Sequence, residues 1–320
     1  MKLTVDVEIT RSLLAEAEHS ALAYLLSKAR KVWQAQSLER LVCGQFGLTP
    51  QPDYPVAAMA AHMDGLAVGH DYWLHATPVH LVMQRDSLSL SEDVPLLLSH
   101  AHAMRVIESL NQHFSADGLT FILGSSGAWY VRLAHSPQIK TAFASEAIGR
   151  NVFACLPQGD EAQTWRAYLN EIQMLLHTHP VNAEREASNQ TLVNSLWLSG
   201  GGVFPALQKK PAHGVDLVLT DDIFYQGLAA WSGVPFHAVN GRWADALDGA
   251  AEAKRVRIGL GAGQLQQPVF AAICQGLKRN KIKKLTLNLG CYDRTMLAEL
   301  NYWDTLKFWQ ATKPVPQIIC

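Results

Sequence analysis

At 320 residues the chain can hold one large domain or two modest ones of roughly 150 residues each. Hydrophobic residues make up 48% and charged residues 17%, which excludes disorder over most of the length. Lys and Arg number 27 against 28 Asp and Glu, and a net charge of −1 excludes the basic excess of a general nucleic-acid binder.

The longest apolar runs, such as Val94-Pro95-Leu96-Leu97-Leu98, fall far short of a membrane span, so neither a membrane nor a nucleic-acid partner is expected. The opening Met-Lys-Leu-Thr-Val-Asp-Val-Glu-Ile alternates and carries acids, so it reads as a strand and not as a signal peptide. Cys43, Cys155, Cys274, Cys291 and Cys320 are widely spaced and form no CxxC pair. A zinc site or disulfide framework is therefore not expected, and a reducing cytoplasm is the expected compartment.

Residues 3–9 read as a strand, and 11–34 as an amphipathic helix broken at most once. A short helix follows at 37–46, ended by Gly47 and Pro50. Residues 49–55 are a Pro-rich connector, and 57–62 a small-residue helical turn. Residues 72–90 form a hairpin turning at Arg85-Asp86-Ser87, with Pro78 marking an edge or a bulge. A helix at 94–113 and short strands at 119–123 and 128–133 complete a small α+β unit.

From residue 160 strands and helices alternate. Helices are expected at 160–178, 221–231, 265–278 and 295–309, and strands at 193–198, 216–220, 255–260 and 283–290. Apolar, β-branched strands alternating with helices imply an α/β fold, a mostly parallel sheet with helices on both faces. The expected domains are an α/β core at 1–69 and 141–320, and a small inserted α+β unit at 70–140.

Open α/β sheets hold ligands at the ends of their strands. Asp221-Asp222 follows one strand, where paired carboxylates can bind a metal or cap the next helix. Gly200-Gly201-Gly202 can cradle a phosphate with backbone amides or permit close packing, and no P-loop pattern follows it. Gly259, Gly261 and Gly263 form GxGxG and not GxGxxG, so a dinucleotide site is not expected. His100-x-His102 and His177-x-His179 point to different helix faces, and neither HExxH nor GxSxG occurs. The basic run 278–284 suits a helix C-terminus, with a local anion patch as the secondary reading. The densest polar run is Asn170 to Glu186, followed by Asn194-Ser195. Its Asn and Arg side chains can hold an anionic ligand or form a buried joint between a helix end and the sheet.

Those residues carry a resemblance. The run LNEIQMLLHTHPVNAERE, followed by VNSLWLSGGG, resembles the archaeal-type cofactor-independent phosphoglycerate mutases. It is similar, more closely, to a bacterial family described as phosphoglycerate mutases or as regulatory proteins. Tyr72-Trp73-Leu74, Pro78 to Leu81, Asp86, Trp129 to Leu133, Gly149-Arg150 and Leu156 to Gly159 continue the likeness in order. The resemblance implies an alkaline-phosphatase-like core with an inserted domain. It further implies two metals, manganese or zinc, held by Asp and His, and a Ser that carries the phosphoryl group.

This chain departs from that pattern. Asp6 is followed by Val7 and not by the family's Gly. Ser37 falls near the place of the nucleophile. RVRIGLGAGQLQQ lacks the family's Asp and His ligands, and at the last ligand pair only Asp293 remains. The leading expectation is therefore a degenerate mutase relative, a ligand-binding or regulatory protein with no cofactor. It would bind a small anionic or phosphorylated ligand, or a protein, through Arg185, Asn182 and His179, with Asn194 orienting them. The alternative is an active mutase with Ser37 as nucleophile and Asp6, Asp221, Asp222 and Asp293 on manganese or zinc. A third reading, a subunit of a larger complex, rests on nine Trp residues and requires exposed tryptophans in one patch.

Overall fold

The computed structural model describes residues 3–10, 21–83, 87–91, 94–207, 214–250, 252–261 and 267–319. The expected turn at Asp86, Gly263 of the GxGxG run, the first half of the expected 11–34 helix and Cys320 lie outside them. The chain divides into two compact units, Met1–Leu48 with Leu207–Cys320, and Thr49–Ala206. The second is larger than the expected 70–140 insert, because residues 49–69 and 141–206 pack with it.

Among the described residues the strands are, in chain order, β1 (Leu3–Ile9), β2 (Arg30–Gln34), β3 (Tyr72–Val79), β4 (Leu81–Met83), β5 (Leu88–Leu90), β6 (Thr120–Leu123), β7 (Trp129–Leu133) and β8 (Ile139–Lys140). There follow β9 (Gln158–Gly159), β10 (Ser195–Val203), β11 (Leu217–Thr220), β12 (Phe236–His237), β13 (Arg255–Gly259), β14 (Ile282–Cys291) and β15 (Arg294–Leu300).

The first unit is built on a seven-stranded sheet in the order β12-β11-β13-β1-β14-β15-β2. The strands from β12 to β14 run parallel, β15 pairs antiparallel with β14, and β2 pairs antiparallel with β15. Val5, Val7, Val256, Ile258, Leu285 and Leu287 are fully buried, as strands covered on both faces require. The helices Ala21–Lys28 and Gln267–Lys278 pack against this core.

Two expected helices are corrected here. The 11–34 helix stops at Lys28, and Arg30–Gln34 instead extends the sheet along β15 as its edge strand. The expected 295–309 helix begins instead as strand, through Leu300, because Met296, Ala298 and Leu300 are buried with period two, and only a short 3-10 turn follows at Tyr302–Leu306. The two-residue turn Tyr292-Asp293, with Tyr292 at φ +60, folds β15 back onto β14.

The second unit has an antiparallel sheet in the order β10-β3-β7-β6. The helices His100–His113 and Ala162–His177 share a buried core with it through Val106, Leu110, Trp165 and Leu169. Pro78 sits where an edge or a bulge was expected: β7 pairs with Tyr72 to His75, so beyond them β10 is the one neighbour of β3 in the ladder among the described residues. The three glycines belong to β10 and do not follow it. No described helix is long and apolar enough to cross a membrane.

Candidate functional site

Two strand sequences carry charge where the core dictates none. Asp6 and Glu8 alternate with valines in β1, and Arg255 and Arg257 do the same in β13. Alternation points each pair to one face of the sheet. The parallel register sets Thr4 beside Arg255 and Asp6 beside Arg257, so each acid meets the arginine one pair back. Arg255 Nε donates to Asp6 Oδ2 at 2.7 Å, and this arginine is half-exposed.

The next pair lies deeper. Glu8 Oε1 stands 3.4 Å from Arg257 Nη1, with 0% and 2% of their side chains exposed. From β14, Asn288 Nδ2 donates to Glu8 Oε2 at 2.8 Å. The Phe46 ring lies 5.0 Å from the Arg257 guanidinium. Burial raises the Glu8 carboxyl to a pKa of about 7. Arg257 pulls against that rise, Asp6 adds to it, and the Asn288 amide opposes it. Glu8 Oε1, Arg257 Nε and Nη1, and Asn288 Oδ1 have no hydrogen-bond partner among the described residues. Buried polar atoms left this way are costly.

Glycines shape the wall of this cluster. A Cβ at Gly259 would lie 2.4 Å from the Tyr225 ring, and one at Gly261 would lie 2.8 Å from Asp222 Oδ2. The described part of the GxGxG run thus admits the start of helix Ile223–Trp231. Burial raises the carboxyl of Asp222 and pushes the phenol of Tyr225 well above its ordinary value, with Glu8 and Asp222 adding to the latter.

The expected metal ligands do not converge. Asp6 is paired with Arg255. Asp222 Oδ1 accepts from the Phe224 N–H at 2.8 Å, the helix-capping role. Asp221 accepts from the N–H groups of Val239 and Asn240, at 2.7 and 3.0 Å. Asp293 sits in the β14–β15 turn. Among the described residues no three His, Cys, Asp or Glu side chains gather around one point. These donors do not fit a two-metal site, which needs several hard oxygen or nitrogen ligands per ion. Ser37 is fully buried at the N-cap of helix Leu38–Gln45, and its side chain makes no capping bond.

The polar run in the second unit forms a joint. Asn182 Nδ2 donates to the carbonyls of Leu176 and Val193, at 2.8 and 2.7 Å, and its Oδ1 accepts from the Val193 N–H at 3.0 Å. Arg185 donates to the carbonyls of Thr191 and Leu97 at 2.7 and 3.2 Å. Asn194 exchanges two bonds with Leu81, at 2.7 and 2.8 Å. His179 caps helix Pro180–Ala187 through Nδ1, which leaves Nε2 to donate to Ser109 Oγ at 3.0 Å. Burial, with Arg105 adding, holds this imidazole below its ordinary pKa. Nearby, a cavity of about 320 Å³ is lined by Leu169, Leu196 and Trp197, with Arg166, Asn170, Gln173 and Ser195 as polar groups.

Gly200 to Gly202 serve packing. Cβ atoms there would meet Val56, Tyr72 and Pro55 at 2.6, 2.3 and 2.4 Å. The sequence-derived candidates include neither Glu8, Arg257, Asn288 nor Tyr225. The signal for the charged pair is period-two charge inside two apolar strands.

No family model matches the chain, and no curated protein matches it. Among solved structures it is similar to a cofactor-independent phosphoglycerate mutase from Thermoplasma acidophilum DSM 1728. The identity is 14%, over 94% of this chain and 90% of that one, with a TM-score of 0.39. It is also similar to the PH0037 protein from Pyrococcus horikoshii, at 11% identity over 94% of this chain and 88% of that one, with a TM-score of 0.45.

Proposed function

We propose that the chain is a phosphoglycerate-mutase-like protein that binds a small anionic, phosphorylated ligand in a regulatory role, without metal-dependent phosphoryl transfer. One observation carries this reading: the buried Arg257 guanidinium in β13, whose Nε has no hydrogen-bond partner among the described residues and whose Nη1 meets the Glu8 carboxylate at 3.4 Å without a hydrogen bond. Ligands of open α/β sheets sit at the carboxyl ends of their strands, and β13 ends two residues beyond Arg257, at Gly259. A guanidinium fork suits two oxygens of a phosphate or carboxylate. Glu8, with its pKa near 7, can keep a proton at neutral pH and donate it to a ligand oxygen. The residues first expected to bind the ligand, His179, Asn182, Arg185 and Asn194, are engaged in the joint, which favours Arg257 as the anion-holding group.

The test has two arms. Purified protein is assayed for conversion of 3-phosphoglycerate to 2-phosphoglycerate with manganese, cobalt, zinc and magnesium in turn. Turnover that a chelator abolishes and Ser37→Ala removes would restore the active-mutase alternative. Calorimetry with 3-phosphoglycerate and inorganic phosphate then compares the wild type with Arg257→Met and Arg166→Gln. Binding lost in Arg257→Met alone is the expected result. Binding lost in Arg166→Gln alone would move the ligand to the cavity of the second unit.

A further inference from the structure

The basic run Lys278-Arg279-Asn280-Lys281-Ile282-Lys283-Lys284 ends helix Gln267–Lys278 and enters β14. With residues 299–307 it walls a groove of about 1080 Å³ in the first unit. Six cationic side chains line the groove, Arg30, Lys278, Arg279, Lys283, Lys284 and Lys307, against the two carboxylates Glu299 and Asp304. Both carboxylates are already paired, Glu299 with Lys284 at 2.7 Å and Asp304 with Lys307 at 2.6 Å. Six against two leaves the groove at +4, so in a chain of net charge −1 the remainder carries −5. The positive charge is concentrated, not spread.

The same wall presents large apolar side chains to solvent. Trp303 in the groove is 73% exposed, and Leu306, Phe308 and Trp309 beyond it are 47%, 90% and 69% exposed. This segment is held in place. Asn301 and Asp304 cap its first turn reciprocally. Tyr24 Oη donates to the Thr305 carbonyl at 3.0 Å, and Lys28 Nζ donates to the carbonyls of Lys307 and Gln310. The Lys313 N–H closes the strap on Ser27 Oγ at 2.8 Å. Four large apolar groups fixed outward within seven residues are a docking feature, since burial elsewhere would stabilise the chain more.

We propose that this groove docks an acidic, apolar segment of a partner protein. Its carboxylates pair with Arg30, Arg279 and Lys283, and its apolar side chains cover Trp303, Phe308 and Trp309. Trp and Arg are the residues that dominate protein interfaces, and complementary charge steers the encounter. A single strand of nucleic acid is the rival occupant, since aromatic rings can stack bases above a basic groove. It is disfavoured because Leu306 and the two groove carboxylates, Glu299 and Asp304, offer no stacking face and no attraction to a phosphate backbone.

The experiment selects 12-residue peptides from a random display library on the immobilised full chain, and then measures the enriched peptide by fluorescence anisotropy. Enrichment of Asp and Glu together with Leu, Phe or Trp is expected. Arg279→Glu with Lys283→Glu should weaken that peptide by about tenfold or more, as should Trp303→Ala. Phe308→Ser, at a side chain that packs on little, gives an independent variant, and circular dichroism verifies that all variants fold. Absence of an acidic consensus, or binding indifferent to all these variants, would overturn the proposal. So would tighter binding of a labelled oligo-dT strand than of any selected peptide.

Discussion

Glu8 Oε1 and Arg257 Nη1 stand 3.4 Å apart across β1 and β13, and neither side chain reaches solvent. A buried pair of this kind contributes little net stability, but removing one member leaves an uncompensated charge. At pH 8, where Glu8 is ionised, Arg257→Met should therefore cost about 3–5 kcal/mol in urea unfolding. The double variant Glu8→Gln with Arg257→Met should recover much of that loss. Strictly additive costs would show that the two side chains do not act as a pair.

Glu8 also makes the first unit sensitive to pH. Its carboxyl is raised from 4.5 to about 7, so between those values the folded state keeps a proton that the unfolded state has released. Stability is therefore greatest below pH 4.5 and falls as pH climbs toward 7, by about 3 kcal/mol for this one group. The stability difference between the wild type and Glu8→Gln, followed by urea unfolding from pH 4.5 to 7, should change by that amount. A constant difference would place the Glu8 pKa near its ordinary value.

In the second unit His75 acts in the opposite sense. Burial lowers its pKa from 6.5 to about 4, against the pull of Asp64. Between those values the unfolded chain carries the proton and the folded chain does not. Stability from this group is complete above pH 6.5 and is lost as pH falls toward 4. His75→Gln should remove that acid sensitivity from the unfolding of the second unit, followed in urea between pH 6.5 and 4. An unchanged acid slope in His75→Gln would assign it to another group.

Much of the α/β layout is legible in the chain, and its reasons are local. The strands at 3–9 and 255–260 alternate β-branched residues with charged ones, 283–290 alternates leucines with polar residues, and all three lie where expected. Strand β15 is harder to read because only Met296, Ala298 and Leu300 mark its alternation, and the turn before it lacks the usual Asn-Gly or Asp-Gly. The site is less legible still. Period-two charge in VDVEI and RVRIG is visible, yet Asp6 and Arg255 are 249 residues apart, and only the sheet order makes their strands neighbours. The joint at Asn182 offers an ambiguous signal for a different reason. The same Asn and Arg types serve an anion or a backbone carbonyl equally well, and only their partners distinguish the two.

Asn182 tests the joint. Asn182→Ala removes three bonds at once and leaves the Leu176 and Val193 carbonyls and the Val193 N–H without this partner. At about 1 kcal/mol or more for each buried group left unsatisfied, the loss should reach about 3 kcal/mol in urea unfolding of the second unit. A loss below about 1 kcal/mol would mean that other groups take over these bonds.

One substitution at two glycines should give opposite signs. A Cβ at Gly202 would stand 2.4 Å from Pro55 Cβ and 2.9 Å from Pro55 Cα, and the backbone atom has little room to yield. Gly202→Ala should cost about 1–3 kcal/mol by overpacking. Gly44 lies inside helix Leu38–Gln45, and a Cβ there meets nothing within 4 Å. Gly44→Ala should stabilise the first unit by about 0.5–1 kcal/mol, since alanine loses less backbone entropy in a helix. Thermal unfolding of both variants gives the comparison. A stabilised Gly202→Ala would show that β10 has room beside Pro55, and would return the three glycines to the phosphate-cradle reading.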